Sequence, residues 1–374
     1  MGKFDSVITA VEVKHTKLKE LIKLYYNKKL ALFTWGAPGI GKSETVRQAA
    51  QELAKELKLE YSENIKDLND EKKFMVIDIR LSQCDPSDLR GIPVWDKEKG
   101  ATIWLPPDTF PRTGYGIIFF DELPNAPPLT QASAYQIILD RKLGTYQVPD
   151  GYMLMGAGNR LEDKTGIFEM GTALKNRFGH TQLAKPTIEE WTKYAVQKGV
   201  DMRVIAFLNW KRTGLFMWDS TVKENAFATP RSWVHLGLLI KDIPSKDLEN
   251  LRIVTATQVG VGLSGEFAQF IKIKDQLKDI SYYMKDPEKC ELPDEAKQAD
   301  LSWAFMVSLV EYYASKQETK VLGDIITILN RLQEEHGFFT LKMLMTVDKN
   351  LGVKLMKVGN KATALANKLF EYFD

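Results

Sequence analysis

Two short stretches carry residues of the right type and spacing for phosphate chemistry. The first is Gly36-Ala37-Pro38-Gly39-Ile40-Gly41-Lys42-Ser43, with Glu44 following it. Its three glycines allow a backbone path that turns successive N–H groups inward around an anion. A lysine directly after the last glycine can reach the outer phosphates of a nucleotide, and the serine hydroxyl can ligate Mg²⁺. The second stretch is Asp121-Glu122, two carboxylates after the apolar run Ile117 to Phe120. There Asp121 suits a magnesium ligand, holding the metal through water, and Glu122 suits a general base that polarises an attacking water. A bare Asp-Glu pair is common on protein surfaces, so its weight comes from the strand before it and the phosphate loop upstream.

These residues need elements to hold them. Leu30 to Trp35 reads as a buried strand leading into the glycine-rich turn, and Ser43 to Leu57 as the helix leaving it. A helix at that point presents its positive end to the anion. Phe74 to Leu81, Tyr115 to Phe120, Tyr152 to Ala157 and Phe178 to Leu183 read as four more strands, and Thr16 to Tyr26 as an amphipathic helix. Continuous apolar strands alternating with helices predict an α/β fold with a parallel five-stranded sheet and helices on both faces. Beyond Pro186 the pattern becomes helical throughout, and a proline-containing charged stretch near 286–294 marks a further boundary. The expected division is an α/β nucleotide-binding domain over residues 1–185, an all-α lid domain over 186–285 and a helical C-terminal extension over 286–374.

Composition sets the class. Of the 374 residues, 44% are hydrophobic and 27% charged, which supplies a sizeable core. A net charge of +2 gives no overall electrostatic pull toward nucleic acid or an anionic membrane. Cys84 and Cys290 fit neither a zinc nor a redox spacing, so both are expected as free thiols. No stretch reaches the roughly 18 apolar residues of a membrane span, and Met1 to Ala10 lacks the pattern of a secretory leader. The expectation is a cytoplasmic protein.

Three further segments complete a resemblance: Gly156-Ala157-Gly158-Asn159-Arg160, Ala173-Leu174-Lys175-Asn176-Arg177-Phe178 and Thr229-Pro230-Arg231-Ser232. Taken in order with the phosphate loop and the acidic pair, they resemble the AAA+ ATPases. Asp85 to Pro93 narrows the resemblance to the MoxR-like branch, which includes the CbbQ and NorQ type activators. The likeness spans roughly residues 12 to 265 and fades beyond them. It implies ATP and Mg²⁺ as ligands, Asn159 as the sensor that orients the attacking water, and Arg177 as an arginine finger reaching a neighbouring subunit. It also implies Arg231 as a second sensor on the γ-phosphate, and a homo-oligomer closed into a ring, most often a hexamer. Asn159 could instead end its strand with a simple turn. Arg160 or Lys175 could replace Arg177, and Arg231 could be an ordinary exposed arginine.

Two insert-like hairpins could deliver work. Val94 to Leu105 brackets a charged turn with Trp95 and Trp104, and Leu139 to Gly151 carries Gly144 and Tyr146. Their aromatics either touch a client or staple their own strands, and for Tyr146 the second reading is preferred. Asp85 and Asp88 read as helix caps rather than catalytic acids. The leading function is a ring ATPase that remodels or activates a partner protein. The resemblance implies a von Willebrand factor A domain on that partner. The alternatives are a nucleic-acid motor or loader of the McrB type, with Lys97, Lys99, Arg141 and Lys142 as its thin basic lining, and a nucleotide-gated scaffold.

Overall fold

A computed structural model describes residues 10–160, 163, 168, 170–218, 224–273, 276–348 and 350–359. The N-terminal stretch read above for a leader lies outside the described residues apart from Ala10, as does the end of the C-terminal extension, 360–374. The chain forms two compact units, the first ending at Lys185 and the second beginning at Pro186.

The first unit runs β1 (Val11–Val13), α1 (His15–Lys28), β2 (Leu32–Trp35), α2 (Lys42–Glu56), β3 (Glu60–Ser62), β4 (Lys73–Arg80), α3 (Pro86–Arg90), β5 (Ile92–Asp96), β6 (Ala101–Leu105), β7 (Tyr115–Asp121), α4 (Pro128–Asp140), β8 (Lys142–Leu143), β9 (Tyr146–Gln147), β10 (Tyr152–Gly158), α5 (Thr172–Lys175) and β11 (Gly179–Leu183). Seven of these strands form one parallel sheet in the order β1-β11-β2-β10-β7-β4-β3. The expected five strands are its centre. The sheet is wider than the sequence suggested because a three-residue strand is added at each edge. Val11 to Val13 exposes two of its three residues, so it carries no continuous apolar run. Glu60 to Ser62 buries only Ser62.

Alternation along the strands sends side chains to two layers. Met75 and Ile77 of β4 and Ile118 and Phe120 of β7 join Ile137 and Ile138 of α4 in one core. Phe74, on the other face of β4, meets Tyr26 of α1 at a ring separation of 5.3 Å. Helices therefore cover both faces. Because every strand is parallel, all C-terminal ends reach one edge, which is where ligands bind in open α/β sheets. The phosphate loop, Asp121 and Asn159 all lie at that edge.

Two antiparallel ribbons stand apart from the sheet, β5 with β6 and β8 with β9. Both match the predicted hairpins. In the first, most side chains on both faces are solvent-exposed, including Ile92, Trp95 and Leu105.

The second unit is helical: α6 (Ile188–Gln197), α7 (Met202–Trp210), α8 (Pro230–Leu239), α9 (Leu248–Val259), α10 (Val261–Ile273), α11 (Ile280–Lys285), α12 (Ala299–Lys316), α13 (Thr319–Leu329), α14 (Glu334–Val347) and α15 (Leu351–Val358). Helices from both sides of residue 286 share one apolar core, from Ile188 and Trp233 to Phe305, Leu309 and Leu355. Met306 and Met343 fill that core, whereas Met356 is exposed. Among the described residues no helix is long and apolar enough to cross a membrane.

Candidate nucleotide site

Residues 36–43 link the end of β2 to the start of α2. Gly39 and Gly41 have φ of 73° and 101°, left-handed conformations that a side chain would strain. Gly41 is the residue directly before α2, so its geometry turns the loop into the helix and brings the first free N–H groups of α2 to the loop. The Gly36 N–H donates to the carbonyl of Gly158 at 3.1 Å, which ties the loop to the end of β10. From α1, His15 Nε2 donates to the Ile40 carbonyl at 2.9 Å.

Lys42 reaches across the loop. Its ammonium donates to the carbonyls of Gly36 at 2.7 Å and Ala37 at 3.0 Å, and to Asn159 Oδ1 at 2.8 Å. Ser43 Oγ donates to Asp121 Oδ2 at 2.8 Å, and the other oxygen of Asp121 accepts the Glu122 N–H at 2.9 Å. Four of the expected residues thus meet in two direct bonds, Lys42 to Asn159 and Ser43 to Asp121, which tie the start of α2 to the ends of β10 and β7. A serine hydroxyl beside a carboxylate is a pair of hard oxygen donors, the set that Mg²⁺ takes. The loop amides and the Lys42 ammonium suit the phosphates. The residues present fit Mg-ATP.

Glu122 stands in the left-handed region with φ of 55°. For a residue with a side chain this costs on the order of 1–3 kcal/mol, and it persists only where the surroundings enforce it. Its carboxylate accepts a close hydrogen bond from Ser82 Oγ, in the 3-10 turn Leu81–Gln83 that follows β4. Ser82 is a site residue that sequence reasoning missed, because its partner lies forty positions away and no motif marks it. Asp78, on β4, lies on the side of the sheet facing α2. Its Oδ2 accepts from Arg47 at 2.9 Å, while its buried Oδ1 has no protein partner. Burial, and next the nearby Asp121 charge, push the Asp78 carboxyl above the usual carboxylate range.

Arg177 follows the short α5 and is exposed. Phe178 beside it is buried and meets Phe33 edge-on at 5.3 Å. Arg160, one of the sequence alternatives to Arg177, pairs with Asp163 at 2.9 Å, and Asp163 is almost fully buried. Arg231 belongs to the other unit. It is exposed in the first turn of α8, a helix begun by Pro230 and capped by reciprocal Thr229 and Ser232 bonds. Glu44 in the first turn of α2 accepts from Gln48 at 3.4 Å.

The hairpins separate their aromatics. Tyr146 is buried, donates to the Pro111 carbonyl at 2.8 Å and stacks on Phe110, and burial pushes its hydroxyl pKa up. It staples its own unit. Trp104 lies over Gly144, and its carbonyl accepts from Thr145 Oγ1 at 2.7 Å, which joins the two hairpins. Trp95 is 61% exposed. Arg141 is turned inward onto the carbonyls of Pro149 and Tyr152, so it is not a free surface cation. Asp85 N–H donates to Asp88, the expected cap of α3. Cys84 and Cys290 are free thiols.

No family model matches the sequence, and no curated protein matches it. Among solved structures, the chain is similar to NtrX from Brucella abortus in complex with ATP, at 14% identity over 95% of this chain and 67% of that one, with a TM-score of 0.38. It is also similar to a RuvB mutant from Thermotoga maritima, at 15% identity over 72% and 73% of the two chains, with a TM-score of 0.35. Likeness this low carries no weight for function, which rests on the residues of the site.

Proposed function

We propose that this chain is a Mg-ATP-hydrolysing AAA+ ATPase of the MoxR-like branch, acting in the cytoplasm as a homo-oligomeric ring, most often hexameric, that remodels or activates a partner protein. The carrying observation is the set of direct bonds among Lys42, Ser43, Asp121 and Asn159 at the edge of a parallel sheet. A scaffold that binds nucleotide without turnover has no use for a general base, yet Glu122 is set in a strained conformation next to the metal-binding pair.

In this reading the loop amides and Lys42 hold the β- and γ-phosphates. Ser43 and Asp121 hold Mg²⁺, which when bound neutralises charge on the phosphate oxygens. Glu122 takes the proton of the attacking water, and Asn159 orients that water without adding charge. Arg177 supplies positive charge to the site of the next subunit, worth on the order of 10³ or more in turnover for P-loop enzymes. Arg231, in the proposed lid of residues 186–285, takes the second-sensor role. A guanidinium serves both tasks because it stays charged and forks onto phosphate oxygens.

The client is proposed to be a protein, with a von Willebrand factor A domain as the resemblance implies. Trp95 and its exposed apolar hairpin are the surface offered to it. A nucleic-acid motor is less favoured, since Arg141 is committed to backbone carbonyls. The test is the solution mass of Glu122→Gln by light scattering at micromolar protein, with and without Mg-ATP. Assembly to a closed oligomer near six subunits with Mg-ATP is expected. A monomer in both conditions contradicts the ring.

A further inference from the structure

The turn that carries Arg177 is tied to the strand leading into the phosphate loop, and one of the ties is a side-chain bridge through His180. His180 Nε2 donates to the Lys175 carbonyl at 2.7 Å, a carbonyl at the end of α5 that also accepts the Phe178 N–H at 3.3 Å. On its other side, Nδ1 accepts the indole N–H of Trp35 at 3.1 Å. An indole nitrogen only donates, so Nδ1 must be bare and Nε2 must carry the proton. Trp35 thereby selects the tautomer that holds Lys175. Trp35 is also the last residue of β2 and directly precedes Gly36. The Trp35 and His180 rings lie 21° from parallel with centroids 6.2 Å apart.

The rest of the turn is equally fixed. The Arg177 N–H donates to the Leu174 carbonyl at 3.1 Å, and Phe178 is seated against Phe33. Arg177 is therefore an exposed side chain on a backbone anchored on both sides, with one anchor running through His180 to Trp35. A lent arginine is useful only when its reach is set, because displacement of about 1 Å can cost on the order of 10²-fold in rate.

We propose that His180 is a positioning residue for Arg177, coupling the strand that leads into a subunit's own phosphate loop to the arginine it lends to its neighbour. The proposal rests on the reading of Arg177 as a finger acting in trans. A shift of Trp35 as the loop closes on nucleotide reaches the Lys175 carbonyl through two hydrogen bonds.

The test uses the full chain and subunit mixing. His180→Phe keeps a ring against Trp35, Phe33 and Phe178 while removing both hydrogen bonds. On its own it is expected to lower kcat by about tenfold or more, with ATP affinity within about twofold of the parent protein. Mixed with Glu122→Gln, whose subunits cannot hydrolyse but carry an intact arginine mount, its rate per intact Glu122 site is expected to rise several-fold. A defect confined to the variant's own phosphate loop has no route to such rescue. Trp35→Phe, which leaves His180 without its donor, carries the same expectation at smaller size and serves if His180→Phe does not fold. Unchanged kcat, or no rescue in mixtures whose mixed assembly is verified, overturns the proposal. Arg177→Ala mixed with Glu122→Gln separates the two layers: rescue there without rescue for His180→Phe refutes His180 alone, and no rescue in either refutes the trans finger and the proposal with it.

Discussion

Gly158→Ala puts a single methyl group between the two halves of the proposed catalytic site. A Cβ at this position would lie 2.4 Å from Pro124 Cδ, 2.5 Å from its Cγ and 3.3 Å from Phe33 Cζ. Ordinary contact begins near 3.4 Å, so something must retreat by about 1 Å. Pro124 cannot swing aside, because its ring is part of the backbone turn Leu123–Asn125 that follows Glu122. Either that turn moves and carries Glu122, or the end of β10 moves and carries Asn159. Overpacking of this kind costs about 1–3 kcal/mol. For a unit of this size that lowers the melting temperature by about 2–4 °C per kcal/mol. The kinetic effect should be larger, on the order of 10²-fold in kcat for a misplacement near 1 Å. Phosphate release, equilibrium ATP binding and thermal melting on the same preparation separate these effects. Binding should fall by less than turnover, because the added methyl meets Pro124 and Phe33 and reaches the loop through the Gly36–Gly158 and Lys42–Asn159 bonds. Turnover within twofold of the parent protein, with an unchanged melting temperature, would refute the claim that Glu122 and Asn159 are set by the contact between β10 and the turn.

Two other substitutions probe groups around the site. Asp78 has its pKa raised in the folded protein, so the native state holds that proton more tightly than the unfolded chain does, and the ionised carboxylate destabilises the fold above its folded pKa. Asp78→Asn should therefore gain melting temperature relative to the parent near neutral pH, and the gain should vanish as pH falls below the unfolded value; a gain that grows on acidification contradicts the sign. Trp95→Ala removes an exposed ring and should shift stability by no more than about 0.5 kcal/mol while leaving basal ATP turnover unchanged. A clear loss of melting temperature would show Trp95 to be part of the fold rather than a surface offered to a partner.

The central sheet was legible because its strands announce themselves. Tyr115 to Phe120 and Tyr152 to Ala157 are short apolar runs bounded by turn residues, the pattern of strands buried on both faces. The edge strands β1 and β3 were not, since three half-exposed residues carry no period. The phosphate loop could be read because its chemistry demands particular residues at fixed spacing. The long-range partners could not: nothing local in the sequence places Ser82 beside Glu122, Asp78 beside Arg47, or His180 between Trp35 and Lys175. Tyr146 and Arg141 show the same limit from the other side. Both sit in a hairpin with alternating pattern, yet their polar ends find backbone carbonyls within the fold. Sequence alternation identifies a hairpin but does not say which of its faces is covered.

The central claim is that this site hydrolyses ATP through Glu122 while Lys42 and its loop bind it. The direct measurement is steady-state phosphate release alongside equilibrium ATP binding, for the parent protein, Glu122→Gln and Lys42→Ala. The account predicts Mg²⁺-dependent turnover by the parent, retained binding without turnover for Glu122→Gln, and loss of binding for Lys42→Ala. Undiminished turnover by Glu122→Gln, or ATP affinity retained by Lys42→Ala, would contradict it.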